Sequence, residues 1–164
     1  MRLLLDEDVP IQLLEPIRHL LRGHVVDHVD QLGWKGKKDR FLLPDARRKG
    51  YDALVTNDSA QLDSAEESKA IRDSGLHHIR YRQDTRRGLD GLALAIGSVV
   101  ATIRQVVAEL EQSDGQRLVE IPSIQPGKRH KSIDPRVEPP KYWPSRAGQP
   151  HKPAKTRPPR SSTI

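Results

Sequence analysis

Short runs of continuously apolar residues alternate along the chain with segments whose apolar positions recur every three or four residues. "RLLLD" (Arg2 to Asp6) is a short, continuously apolar run of the type that fills a buried parallel strand. Ile11, Leu13, Leu14, Ile17, Leu20 and Leu21 follow at helical spacing, and Gly23 stands where a helix would stop. "HVVDHV" (His24 to Val29) predicts a second strand, "QLGWKGKK" a glycine-bearing loop, and Asp39 to Lys49 a second helix closed by Gly50. "ALVT" (Ala53 to Thr56) predicts a third strand ending at Asn57 and Asp58, and a helix follows between Leu62 and Asp73. "LHHIRY" (Leu76 to Tyr81) predicts a fourth strand, Leu89 to Glu111 the longest helix, and "RLVEI" (Arg117 to Ile121) a last strand. This alternation predicts an α/β fold of three layers, α/β/α, around a mostly parallel sheet.

The periodicity stops near residue 122, which divides the chain into a folded domain, 1–122, and a basic, proline-rich tail, 123–164. Residues 126–164 carry ten Lys or Arg against Asp134 and Glu138, and nine of the thirteen prolines. Such a segment buries too little apolar surface to offset the entropy of ordering, so it is expected to be disordered. The formal net charge of +6 is therefore a property of the tail: the first 125 residues hold 18 basic and 20 acidic side chains.

There is no cysteine, so a thiol nucleophile, a disulfide or a thiolate metal site is excluded. The opening leucines are too few for a signal-peptide core, and no other stretch reads as a membrane span. A soluble, cytoplasmic protein without membrane contact is expected.

In an open parallel sheet, ligands bind beyond the carboxyl ends of the strands at the switch point in strand order. That rule brings Asp6, Glu7 and Asp8, after the first strand, to one rim with Asp58, after the third. Carboxylates crowded in this way repel unless a cation lies among them or one stays protonated. Without thiolates, the fitting cation is hard, Mg²⁺ or Mn²⁺, and the fitting substrate is an anionic polymer. Asp39 is the candidate third acid. It reads equally as a helix N-cap, and the helix could begin at Asp39 with Pro44 inside it or at Leu43 with Pro44 at its first turn.

His24 and His28 lie too far apart on a strand to share an ion, which favours a structural role. His77 and His78 point to opposite faces, so at most one reaches a site. Lys35, Lys37, Lys38 and Arg40 cluster around Asp39, and Arg80 and Arg82 follow the fourth strand; all six are candidate phosphate contacts, with solvated loops as the alternative. The tail is a candidate for salt-sensitive nucleic-acid binding or a solubilising segment.

"MRLLLDEDVP", "GHVVDHVDQLGWKG", Asp39 with Leu42, Leu43, Ala46 and Gly50, and "ALVTNDS", in this order, resemble the small PIN-like family of single-domain proteins grouped with toxins of toxin–antitoxin pairs. The resemblance covers about residues 1–85, and the long helix fits the end of that domain. It implies a Mg²⁺- or Mn²⁺-dependent endoribonuclease acting on RNA. Asp6, Asp39 and Asp58 match the catalytic, metal-holding acids and Glu7 an accessory one. It also implies an antitoxin partner and a homodimer. The family's Thr-x-Asp-x-Asp-Phe turn reads Thr56, Asn57, Asp58, Ser59, Ala60, Gln61 here, so an acid and an aromatic are replaced by Ala60 and Gln61, with Asp8 or Asp63 as possible substitutes. A catalytically degenerate PIN-like module that binds nucleic acid or a protein through its tail is the alternative. An Asp-x-Asp phosphatase lacks its Gly-Thr here, and a phosphoacceptor receiver lacks its lysine after the fifth strand.

Overall fold

A computed structural model of the chain describes residues 1–58 and 61–124. These belong to one compact unit, Met1–Pro126; the second unit, Gly127–Ile164, lies outside the described residues, and with it nearly all of the expected tail.

The elements run β1 (Arg2–Leu5), α1 (Leu14–Leu20), β2 (Val25–His28), α2 (Asp39–Arg48), β3 (Ala53–Thr56), α3 (Ala65–Ser74), β4 (His77–Tyr81), α4 (Gly88–Glu111) and β5 (Leu118–Ile121). All strand pairs are parallel, and the five strands lie in the order β2-β1-β3-β4-β5. The order reverses around β1, so the switch point falls between β1 and β3, where Leu5 pairs with Val55.

Strand alternation sends side chains to two cores. Leu3, Leu5, Val55, Ile79 and Tyr81 pack with α1 and α4, whereas Leu4 and Leu54 pack with α2 and α3 through Leu42, Leu43, Ala46 and Ile71. Because helices cover both faces, β1 and β3 are apolar at consecutive positions, as a doubly covered sheet requires.

The elements follow the expected order, with local differences. The first turn of the expected opening helix is a 3-10 turn, Ile11–Leu13, before α1. α2 begins at Asp39 and keeps Pro44 inside it, and Lys38 rather than Asp39 occupies the cap position. The carbonyl of Lys38 accepts from Phe41 and Leu42 N–H at 2.8 and 2.9 Å, so the first turn closes before the proline removes a donor. α3 opens on Ser64, whose hydroxyl accepts from Glu67 N–H, and stops at Gly75 in the left-handed region.

One expectation is corrected. Thr85–Glu111 contains an 18-residue window with a mean hydropathy of 1.7 and is long and apolar enough to cross a membrane by length and composition alone. Ala95, Val99, Ile103, Val106, Val107 and Leu110 explain that character, because they form the helix side of the larger core.

Candidate functional site

Asp6 sits one residue past β1, and its N–H still donates to Val55 O at 2.9 Å, so the sheet itself fixes it at the switch point. Like Leu4, it faces the α2/α3 side. It is only 7 % exposed. Its Oδ1 accepts from Glu7 N–H at 2.8 Å and its Oδ2 from Gln61 Nε2 at 3.4 Å. Burial pushes its pKa up, against these hydrogen bonds.

Asp8 laces the β1 turn to the end of β3. Its carboxylate accepts from Asn57 N–H at 3.1 Å and from the Thr56 hydroxyl at 3.3 Å, while that hydroxyl accepts from Asp58 N–H at 3.0 Å. Burial, reinforced by the charges of Asp6 and Asp58, pushes Asp8 up to about 6. Asp8 thus ties the β1 turn to the end of β3, whereas Asp63 is exposed.

Asp39, the first residue of α2, is also pushed up to about 6, mainly by burial and then by the charges of Asp6, Glu67, Asp58 and Asp8. Acids from the β1 turn, α2, the β3 turn and α3 therefore act on one another across one space. Among the described residues, Asp6, Asp8 and Asp39 make no ion pair. Glu7 is engaged beside this group: its Oε2 accepts from Gly36 N–H at 2.6 Å, tying the β1 turn to the loop before α2. Glu67 was not visible as a site residue, although the Ser64-x-x-Glu67 capping box marks where it lies.

Among the described residues, no three His, Asp or Glu side chains converge on a single metal position. The donor chemistry nevertheless fits a hydrated hard cation, which binds through one or two carboxylates and keeps several waters. A second feature fits it too. The hydroxyl of Tyr81, a residue 1 % exposed, has no hydrogen-bond partner among the described residues, and burial, followed by the charges of Asp8 and Asp6, pushes its pKa up. A buried hydroxyl of this kind, within the field of two carboxylates, is satisfied by a water.

Of the expected phosphate contacts, most already have partners. Lys35 pairs with Asp30 at 3.7 Å; Lys37 pairs with Asp45 and lies over the Trp34 ring. Arg40 pairs with Glu66 at 3.4 Å and covers Phe41, which is 55 % exposed. Arg80 and Arg82 both pair with Glu120 on β5. A polar cleft of about 440 Å³ beside Asp39 is lined by Lys37, Lys38 and Arg40 with Glu7, Glu66 and Glu67. A larger open hollow of about 790 Å³ over Pro16, Leu20 and Val100 holds none of this chemistry.

The histidines divide as strand parity requires. His28 Nδ1 accepts from Asp30 N–H, so its Nε2 carries the proton and donates to Val9 O at 2.8 Å, a structural role. His78 faces the acid side, buried, with its Nε2 2.9 Å from Gln61 Oε1, whereas His77 Nδ1 accepts from Arg117 N–H. Among the described residues no lysine follows β5, which runs into Pro122 and Ser123.

Comparison of the chain with protein-family models, with curated proteins and with solved structures finds no match.

Proposed function

We propose that this protein is a Mg²⁺- or Mn²⁺-dependent endoribonuclease of PIN-like type that acts in the cytoplasm. The observation that carries the reading is the acid group at the β1/β3 switch point, where Asp6, Asp8, Asp39 and Asp58 act on one another and Asp8 and Asp39 rise to about 6. Sequence resemblance, an all-parallel sheet whose switch point lies between β1 and β3, and a polar cleft beside Asp39 support it.

In this reading Asp6, Asp39 and Asp58 hold the cation, with Glu7 near enough to assist once released from Gly36. The bound cation supplies water activation and charge neutralisation at the scissile phosphate. Asp8 holds the Asp58 turn through Thr56 and Asn57, and the Tyr81 hydroxyl donates to water within the acid group. Lys38 and Arg40, on the cleft beside Asp39, contact the RNA backbone, and the exposed Phe41 offers a ring on which a base can stack. A PIN-like toxin of this kind works against a protein antitoxin and often as a homodimer.

The test is cleavage of a mixed RNA pool by the purified full chain with Mn²⁺. The wild type cuts and Asp6→Asn falls to the level of the metal-free control; an uncut pool beside an active control nuclease refutes the reading. The ten Lys or Arg against two acids in residues 126–164 favour, as a second reading, a catalytically degenerate module that binds nucleic acid through that segment. In that case RNA binding is lost when the tail is deleted, and no Mn²⁺ binding is seen by calorimetry.

A further inference from the structure

Gln61 and His78 are buried polar residues without a place in the mechanism above. Gln61 is 3 % exposed and His78 1 %. They lie 17 positions apart in sequence yet form one chain of hydrogen bonds ending on the first acid: His78 Nε2 to Gln61 Oε1 at 2.9 Å, and Gln61 Nε2 to Asp6 Oδ2 at 3.4 Å. Burying two such groups costs free energy unless both are satisfied, and apolar residues of similar size would fill the space more favourably. The pair therefore needs a reason, and its far end supplies one.

We propose that His78 and Gln61 form a positioning relay that holds the Asp6 carboxylate in its metal-ready orientation, replacing the aromatic residue and second acid that the β3 turn lacks. This inference rests on the metal-dependent reading of the site. The amide of Gln61 has two orientations. In one, its NH₂ group faces Asp6; in the other, its carbonyl oxygen faces a carboxylate oxygen and is repelled. The ionised carboxylate selects the first orientation, which leaves Oε1 toward His78 and requires a proton on Nε2 there. Among the described residues the ring's other nitrogen, Nδ1, is buried without a partner, so nothing accepts from a second proton there and the ring fits the neutral form with Nδ1 bare. Burial and the Arg80 charge, opposed by Asp58, hold His78 down at about 4, in keeping with a neutral ring. Asp6 thus has a donor on each oxygen: Glu7 N–H fixes Oδ1 through the backbone, and the relay fixes Oδ2 through two side chains.

The relay is not a catalytic group; it acts through Asp6. Calorimetric titration of the full chain with Mn²⁺ tests it, with thermal melting as the control for folding. Gln61→Leu and His78→Phe weaken Mn²⁺ binding by about 10-fold or more, the range seen when a ligand's hydrogen-bond partner is removed. His78→Gln, whose amide places an N–H where Nε2 was, recovers binding to within about threefold of wild type on the same scale. A folded Gln61→Leu variant that binds Mn²⁺ as wild type does overturns the relay. So does failure of His78→Gln to surpass His78→Phe. The wild-type chain alone gives a second readout free of metal: ¹⁵N shifts of the His78 ring must report the Nε2–H tautomer at pH 7, and the Gln61 side-chain amide signals must move in Asp6→Asn. An Nδ1–H tautomer overturns the relay even if every variant unfolds. Wild type that binds no Mn²⁺ but shows the expected tautomer and amide shifts refutes the metal-dependent reading while leaving the hydrogen-bonded relay standing.

Discussion

The domain holds two populations of acids. Asp27 receives the Tyr51 hydroxyl at 2.7 Å and pairs with Arg18 and Arg2; Asp45 pairs with Lys37 and Arg48; Glu120 pairs with Arg80 and Arg82. These are structural acids, and for Asp45 and Glu120 the hydrogen-bonded cations hold the carboxyl below its usual range. At the switch point the balance is inverted. Asp6, Asp8 and Asp39 have hydrogen-bond donors at most, Asp6 is buried and the other two are half-buried, and all three are held above the usual carboxylate range. The first population contributes to stability at neutral pH. The second detracts from it, which a fold tolerates where the charge is used.

The largest expected difference is in metal binding. Mn²⁺ competes with protons for Asp39, so affinity falls by about fivefold from pH 6 to pH 5, and more steeply because Asp8, which holds the Asp58 turn, takes up its proton over the same interval. Titrations at four pH values check this; binding flat across that interval would remove both acids from the site.

Stability gives a smaller contrast of opposite sign. Asp39 has a pKa of about 6 in the folded chain against 3.8 when unfolded. Between those values the folded state binds more protons, so stability falls as pH rises through the window and is lowest above it. Asp39→Asn therefore melts several degrees higher than wild type at pH 7.5, and the gain disappears by about pH 4. Asp45 has its pKa lowered, so its contribution is present at neutral pH and lost only as pH falls through the folded value. Asp45→Asn melts slightly lower at pH 7.5, by the small amount typical of an exposed pair. If both variants melt on the same side of wild type, the two populations do not differ.

The smallest effect concerns RNA affinity. Glu120→Gln removes the charge that engages Arg80 and Arg82, and binding tightens by about twofold in low salt, with no gain in high salt. An unchanged affinity at low salt would leave those two arginines structural.

Much of the fold was legible because apolar period alone distinguishes a buried strand from an amphipathic helix. The rim was legible because strand ends in a parallel sheet share an edge. What the sequence did not disclose depends on long-range register. That Arg80 and Arg82 meet Glu120 follows from β4 pairing with β5, forty residues apart along the chain in the case of Arg80. Asp8 read as a neighbour of Asp6, but its role is to accept from Asn57 and Thr56 across the β1/β3 seam. The start of α2 was open, since Pro44 permits two positions, and packing of Leu42 and Leu43 against Leu4 and Leu54 decides it. Gln61 read as a lost aromatic; only with β4 in place does it have a histidine to bond. His78 could be anticipated in part, as strand parity allowed one of the adjacent histidines to face the site.

The bond between Gly36 N–H and Glu7 Oε2 has an optical consequence. The loop fastened by it carries Trp34, whose ring lies 4.8 Å from the Lys37 ammonium and 5.2 Å from that of Lys49. An indole's emission responds to the charges around it, so a ligand that draws Glu7 from the loop changes the fluorescence of Trp34. With Trp143 replaced by Phe, the domain carries its own single-fluorophore reporter of what happens at the end of its first strand.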